Sequence, residues 1–422
     1  MENDVNIPKV VIVGAGFSGL LAARSLARER VEILLLERNN YHTFVALLYQ
    51  VATAELGPED IVRPIRNILR KQPNVSIEMA DVETIDIPMR RIKTGNRFIS
   101  YDYLIIATGS ETSFFGIPGA AEHAFPLKTL EDAITLRNNI LYCFEMAIHE
   151  KDSMSRRRLL TFTIVGGGPT GVEIVGALAE LIRGPLKKDF TSLDFKEVSI
   201  VLIEASDNLL PGFPEYCRDY SNLRLRQMGI EMHFESPVTQ ITKDSVQLKN
   251  GQAIPSQTVI WVAGVCGTPV VQNAGLELTK NGQAKVMPTL QVLTHPEIYV
   301  IGDLAYFEDN GKSLPMIAPV AIQQAAMAAR NIKWQIQGKS PEPFHYRDPG
   351  VMVIIGRNTA IARIKNKSFT GFPAWVLWLT VHIFKIIGFR NRLLVLLGWA
   401  LDYFLYERAI RIILPNVQTK DD

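Results

Sequence analysis

Residues 10–37 read Val10-Val11-Ile12-Val13, then Gly14-Ala15-Gly16-Phe17-Ser18-Gly19, then Leu20-Leu21-Ala22-Ala23-Arg24-Ser25-Leu26, and, after a short break, Val31-Glu32-Ile33-Leu34-Leu35-Leu36-Glu37. The first four residues are β-branched and apolar, too few for a helix and typical of a strand buried on both faces of a parallel sheet. The glycine stretch follows at once, and the pattern from Leu20 to Leu26 is helical. A second strand then ends in an acid. Each glycine in this order has a physical task. Gly14 permits the tight turn, Gly16 lets a pyrophosphate approach the backbone, and Gly19 lets the helix pack closely on the strand. The helix N-terminus attracts phosphate, and Glu37 accepts hydrogen bonds from a ribose. Strand, helix, second strand and acid in register make a complete dinucleotide fingerprint.

A chain of 422 residues exceeds the size at which one core stops growing, so two or three domains are expected. Hydrophobic residues make up 47% and charged residues 21%, and the net charge is only +2, which gives no electrostatic case for nucleic acid as a partner. Cys143, Cys217 and Cys266 lie far apart and fit no redox or zinc spacing, which suits a reducing compartment and buried, inert thiols. Residues 1–4 offer no basic or apolar leader, so neither a secretory signal nor a transit peptide is expected. The later apolar stretches 372–379 and 393–401 are interrupted by His382, Lys385 and Asp402, short of a spanning helix.

Further along, residues 38–66 show no clear period and read as a long connection lying over a ligand. Residues 75–87 and 91–99 read as strands of an antiparallel excursion. The run Tyr103-Leu104-Ile105-Ile106-Ala107-Thr108-Gly109 is another buried strand, ending in a small-residue turn where the backbone passes something bulky. After a helical, charged stretch at 126–157, the opening unit repeats. Residues 159–165 form a strand, Gly166-Gly167-Gly168-Pro169-Thr170-Gly171 a turn, 172–181 a helix and 198–203 a second strand ending in Glu204, with 182–197 as an insertion. The strand end Ala263-Gly264 repeats Ala107-Thr108-Gly109, and residues 298–303 give one more strand ending in Gly302-Asp303. A helix is expected over 319–335 and short strands within 343–365. Two complete fingerprints predict two dinucleotide sites.

The order of these pieces, over residues 8 to about 335, resembles the two-dinucleotide-binding-domain flavoproteins. The fold class expected is α/β: two Rossmann-like domains, with an NAD domain inserted in an FAD domain, plus a C-terminal amphipathic helical region that associates with membrane. The boundaries expected are 1–125 and 271–340 for FAD, 126–270 for NADH, and 341–422 for membrane association. The resemblance assigns FAD to Gly14, Gly16, Gly19, Glu37, Arg38, Thr108, Gly109, Asp303, Ala318 and Ala321. It assigns NADH to Gly166, Gly168, Gly171, Glu204 and Gly264. A carboxylate at the ribose position repels a 2′-phosphate, and Ala205, Ser206 and Asp207 supply no arginine to attract one, so NADH is preferred over NADPH.

The stretch Ala318-Pro319-Val320-Ala321-Ile322-Gln323-Gln324 is similar to a signature of the type II, non-proton-pumping NADH:quinone oxidoreductases, with Pro319 where that family carries a first glutamine beside the quinone. A proline is sound at the start of a helix, and the positive end of this helix would stabilise negative charge on a reduced flavin. Gln323 matches the second glutamine. Glu173, on the first helical turn after Gly171, matches an acid that the family places close to nicotinamide and flavin, where it orients the carboxamide or relays protons. His42 resembles a structural residue over the flavin.

The C-terminal part spreads Trp375, Trp378, Trp399, Tyr403, Phe404 and Tyr406 through an aliphatic background edged by Lys385, Arg390, Arg392, Arg408 and Arg411. Aromatic residues with polar tips, short apolar runs and flanking cations suit helices lying in a membrane interface. A buried hairpin in a homodimer is the competing reading. His382 and Lys385, spaced i and i+3, share a helix face and would line a quinone tunnel, with Lys385 as a catalytic candidate beside Glu173 and Gln323.

Together these residues imply an enzyme on the cytoplasmic face of a bacterial inner or thylakoid-type membrane. It would take hydride from NADH to FAD, reduce a membrane quinone without pumping protons, and so feed a respiratory chain. Its partners would be that quinone and the bilayer surface, with no nucleic acid and no metal. A sulfide:quinone oxidoreductase needs paired cysteines near the flavin that this chain lacks. A non-enzymatic NADH-sensing membrane flavoprotein is the alternative from another class.

Overall fold

The computed structural model describes residues 7–309, 311–365, 367–405, 408 and 410–414. The start at residues 1–4 and Tyr406 lie outside them. The described chain packs as two compact units. One comprises residues up to 43, 63–111 and 265–349; the other comprises 44–62, 112–264 and the residues from 350 onward.

In the first unit, Lys9–Val13 pairs in parallel with Glu32–Glu37 on one side and Tyr103–Ile106 on the other. Val75–Met79 and His295–Val300 extend the parallel sheet outward, and Gln291–Val292 adds an antiparallel edge. Val10, Val11 and Ile12 are fully buried, as a central strand covered on both faces requires. Strand order reverses at Lys9–Val13, and in such sheets the crevice at the carboxyl ends beside the reversal is where ligands bind. Helices Phe17–Leu26 and Ala318–Ile336 pack on each other. Buried Ala22, Ala23, Ala325, Ala328 and Ala329 keep their side chains short enough for that approach. The stretch 75–87, expected as one strand, divides into Val75–Met79 in the sheet and Thr84–Asp86 in a small antiparallel sheet with Arg91–Thr94 and Arg97–Ser100.

The second unit repeats the scheme with a five-stranded parallel sheet, in the order Ala124–Pro126, Thr258–Trp261, Thr161–Val165, Ser199–Ile203, Glu231–His233. Helix Pro169–Leu181 lies against Val351–Gly356, the first of three antiparallel strands that continue with Thr359–Ile364 and Lys367–Gly371. One residue makes this approach possible. A Cβ on Gly176 would stand 1.8 Å from the Ile355 carbonyl oxygen. Helix Phe372–Lys385 covers the same sheet, and Phe389–Leu405 packs on it and on Pro58–Ile61.

Residues 38–66 are not an irregular connection. They contain the short helices Leu48–Ala52 and Pro58–Ile61, and Leu48–Ala52 packs against Leu130–Ala147 and Pro169–Leu181. Helices of one turn span too few residues to display a 3.6-residue period. Among the described residues, no helix is long and apolar enough to cross a membrane. Trp378 and Trp399 point inward and are buried, whereas Phe384, Phe389, Leu397, Leu401 and Phe404 are exposed. The hairpin therefore presents an apolar outer face.

Candidate functional site

In the first unit the glycine turn is shaped by contact. Gly14 has φ +98°, and a Cβ there would meet the Ala107 carbonyl oxygen at 2.5 Å; a Cβ on Gly19 would meet the Gly14 oxygen at 1.8 Å. Gly16 differs, because a Cβ there would meet nothing. It is the N-cap of Phe17–Leu26 and supplies no side-chain cap. Open space at an uncapped helix start is the cradle a pyrophosphate fills. Glu37 ties the turn from the far strand, its Oε2 accepting the Ala15 N–H at 2.6 Å. His42 braces the same residue, Nδ1 lying 2.9 Å from the Ala15 oxygen. Burial holds its pKa below the ordinary value, so the ring is neutral and donates to that carbonyl, in keeping with a structural part.

Val13, Glu37, Arg38 and Thr108 line an open cleft of about 390 Å³ with residues of 80–83 and 268–273, within the range of ligand-binding clefts. Gly109, at φ +77°, faces open space. Ser110 Oγ donates to Asp303 Oδ2 at 2.6 Å. The Gly302 N–H donates to Gln324 Oε1 at 2.8 Å, and the buried Gln324 Nε2 has no hydrogen-bond partner among the described residues. That donor, the open Gly16 cradle and the acid at the strand end fit FAD. Ala321 packs on Gly302, and Ala318 opens the helix with Pro319 in its first turn and no side-chain cap. The Gln323 amide is engaged by backbone. Its Nε2 donates to the Arg347 carbonyl at 2.9 Å and its Oε1 accepts the Arg347 N–H at 3.0 Å, so the amide staples backbone, and its neighbour Gln324 serves the Gly302-Asp303 turn.

The second unit reproduces the first turn closely. Gly166 has φ +116°, a Cβ on Gly171 would meet the Gly166 oxygen at 1.8 Å, and a Cβ on Gly168 would meet nothing. Glu204 Oε2 accepts the Gly167 N–H at 2.5 Å, while its Oε1 accepts both the Ser206 N–H and the Ser206 hydroxyl at 2.8 Å. The carboxylate is thus fixed where a ribose diol would meet it. Gly264 lies under the Phe115 ring, which a Cβ would strike at 2.2 Å.

Glu173 follows this turn and lines a cavity with Tyr49, Glu55, Glu180 and Asp402, roofed by Trp375, Leu379 and Trp399. Burial pushes its carboxyl pKa up to about 8, opposed by the facing Ile354 backbone and Trp378 indole. At neutral pH it carries a proton. Glu55 is likewise pushed up to about 8 by burial, with Arg408 opposing. Arg408 is buried, its Nη1 donating to the Thr53 and Ala177 carbonyls at 2.9 and 3.0 Å and its Nη2 to Glu180 Oε2 at 3.2 Å. Asp402 lies 3.5 Å from Arg408 Nε.

Lys385 does not line this cavity. It lies exposed at the end of its helix, with partial burial lowering its pKa. His382 stacks on Trp378 at a ring distance of 4.0 Å and its Nδ1 lies 2.8 Å from the Trp378 oxygen; burial pushes its pKa down to about 4, so it is neutral. Cys143 and Cys217 are buried as expected, but Cys266 is partly exposed. Tyr49, Glu55 and Glu180 carry no sequence expectation as site residues; Asp402 is expected only as a break in an apolar run, and Arg408, expected as a cation at the edge of the C-terminal region, is instead buried against Glu180 and Asp402. One signal existed: Glu173, Ala177 and Glu180 are spaced i, i+4, i+7, which places both acids on one helix face.

Residues 8–325 match the pyridine nucleotide-disulphide oxidoreductase family. The type II NADH:quinone oxidoreductase Ndh of Mycobacterium tuberculosis is 36% identical over 416 residues, which cover 95% of this chain and 89% of the relative. Among solved structures, NDH2 from Plasmodium falciparum in complex with NADH superposes with a TM-score of 0.88 at 20% identity, covering 97% of this chain and all of that one. The sulfide:quinone oxidoreductase from Aquifex aeolicus gives 0.73 at 20% identity, covering 95% and 96%. At that identity the structural likenesses speak for the fold alone.

Proposed function

We propose how this chain, which belongs to the type II NADH:quinone oxidoreductases within the pyridine nucleotide-disulphide oxidoreductase family, moves two electrons from NADH to a membrane quinone. The observation that carries the reading lies within one unit. Helix Pro169–Leu181 begins at the second glycine turn, and its Glu173 opens into a cavity roofed by the hairpin whose outer face is apolar. A nucleotide-binding helix and a lipid-facing surface thus share one cavity.

Gly14, Gly16, Gly19, Glu37, Arg38, Thr108, Gly109, Asp303, Ala318 and Ala321 hold FAD in this reading, and Gly166, Gly168, Gly171, Glu204 and Gly264 hold NADH. Bound FAD supplies a two-electron carrier between the nicotinamide and the quinone. The chain contributes position and charge. Glu204 selects a free ribose diol and rejects a 2′-phosphate. The start of Ala318–Ile336 offers its positive end to anionic charge. Glu173, neutral at physiological pH, delivers a proton to the quinone oxygen as the electrons arrive. Gln323 acts at a distance, by holding the backbone of Arg347. Lys385, at the exposed rim, reaches lipid phosphates by snorkelling and marks the quinone's entry.

The apolar face of Phe372–Lys385 and Phe389–Leu405 seats the protein on the cytoplasmic side of a bacterial membrane, where NADH is available; a second copy of the chain is the competing occupant of that face. The test uses FAD-loaded protein with vesicles of anionic phospholipid containing ubiquinone. The reading predicts co-sedimentation with the vesicles and NADH oxidation that depends on the embedded quinone. Protein that stays in the supernatant as a dimer, and oxidises NADH at the same rate with quinone-free vesicles, would overturn it.

A further inference from the structure

The cavity beside Glu173 holds more acid than one proton donor needs. Glu55, Glu173, Glu180 and Asp402 line it, and the cations that face them are Arg357, which also lines it, and the buried Arg408. Four carboxylates against two guanidinium groups cannot all ionise in a desolvated space. Tyr49 supplies a second observation of a different kind. It is 3% exposed and lines the same cavity, and among the described residues its hydroxyl makes no hydrogen bond of sound geometry, the adjacent Gln50 amide being engaged by Glu55 and Trp399. A buried hydroxyl that shares a cavity with four carboxyl groups calls for water.

The remaining groups around the cavity are fixed rather than free. Gln50 donates from Nε2 to Glu55 Oε1 at 3.0 Å and accepts the Trp399 indole N–H at 3.0 Å. The Arg357 N–H donates to Glu180 Oε1, and the Arg357 guanidinium stacks on the Tyr403 ring at 4.3 Å. Leu48–Ala52 thus contributes Tyr49 and, just beyond it, Glu55. Pro169–Leu181 contributes Glu173 and Glu180, and Phe389–Leu405 contributes Asp402 and Tyr403. Neither Val351–Gly356 nor Phe372–Lys385 places a charged side chain in the lining.

We propose that this cavity is a water-filled proton store, in which the Glu55–Glu180 pair held by Arg408 reprotonates Glu173 through Tyr49. The proposal rests on the reading of Glu173 as the acid that serves the quinone. The balance requires such a supply. Quinone becomes quinol by taking two electrons and two protons; NADH brings both electrons and one proton as hydride, so the other proton comes from the medium. Glu173 gives up its O–H proton to the quinone oxygen and becomes a carboxylate. Tyr49 returns a proton to it through water while accepting one from the neutral member of the Glu55–Glu180 pair, and solvent refills that pair. Tyr49, Glu55 and Glu180 act through Glu173 and are positioning residues. Burial raises the pKa of Glu55 to about 8, which keeps a proton in the store at neutral pH, and burial also raises that of Glu180 above its ordinary value.

The test compares Tyr49→Phe, Glu55→Gln, Glu55→Asp and Glu173→Gln as FAD-loaded proteins by anaerobic stopped-flow with NADH and a short-chain quinone. Tyr49→Phe removes only an oxygen that makes no hydrogen bond of sound geometry among the described residues, and circular dichroism together with flavin content checks that it folds. The expected result is flavin bleaching by NADH within twofold of wild type, and reoxidation by quinone slowed at least about tenfold in Tyr49→Phe and Glu55→Gln. Those two variants also show a raised solvent isotope effect and a displaced alkaline limb of the pH profile, and Glu55→Asp restores most of the rate. Infrared spectra of the oxidised protein at neutral pH show a protonated-carboxyl band that weakens in Glu55→Gln. Wild-type reoxidation and pH profile in Tyr49→Phe and Glu55→Gln, with Glu173→Gln slow, would overturn the store and leave the role of Glu173 standing. Wild-type reoxidation in Glu173→Gln would overturn both.

Discussion

Replacing Glu173 by Gln keeps the shape of the side chain and removes its titration, and the pH dependence of stability then reports the proton it held. The unfolded chain loses that proton near the ordinary value of 4.5, whereas the native state keeps it until about pH 8. Between those values the native state binds more protons, so wild-type stability from this group is greatest below 4.5 and falls as pH rises toward 8. The gap, at about 1.4 kcal/mol per unit, bounds the loss at about 5 kcal/mol. Structural relaxation and solvent penetration reduce that bound, and about 2 kcal/mol is the expected size. Glu173→Gln therefore gains stability over wild type at about pH 8 and matches it at about pH 4.5. Thermal melts of the FAD-loaded proteins across that range measure the difference. A gap in Tm that stays constant with pH, or that closes toward alkaline pH, would refute the claim that this acid is held neutral.

The glycine geometry separates folding from binding: Gly16→Ala folds, because its Cβ meets nothing, but loses FAD, whereas Gly19→Ala fails to fold, because its Cβ would sit 1.8 Å from the Gly14 oxygen; circular dichroism and flavin content distinguish the two. Glu204→Ala combined with Ser206→Arg removes the repelling carboxylate and adds a cation, and shifts the ratio of kcat/KM toward NADPH by about tenfold or more. Phe389→Glu with Phe404→Glu, both on exposed positions, abolishes sedimentation with anionic vesicles while FAD content and NADH-dependent bleaching persist.

The parts legible in the sequence are those built from long, regular signals. Both glycine turns, their strands and their terminal acids follow from local backbone demands, and the glycine and acid that meet are only 22 positions apart in the first turn and 37 in the second. The aromatic pattern of the C-terminal region likewise marks two helices with one buried and one exposed face. The acid cluster was hidden for the opposite reason. Tyr49 and Glu55 lie in or beside one-turn helices without period, and Arg408 reaches Glu180 across 228 positions, a pairing that no local rule announces. Gln323 shows a third case: a motif position located the helix turn correctly, but which of two adjacent amides faces the Gly302 turn depends on packing against Arg347. Gly176 belongs with these. A glycine inside an otherwise regular helix signals only a close approach, and the Ile355 carbonyl that makes it necessary comes from the far end of the chain.

The most direct test of the central claim is anaerobic double-mixing stopped-flow on the FAD-loaded protein: NADH first, then a short-chain quinone, with flavin absorbance followed throughout. The account predicts rapid bleaching by NADH and rapid, complete recovery on adding quinone. Rapid bleaching followed by no recovery with any quinone, but recovery with another acceptor, would contradict it.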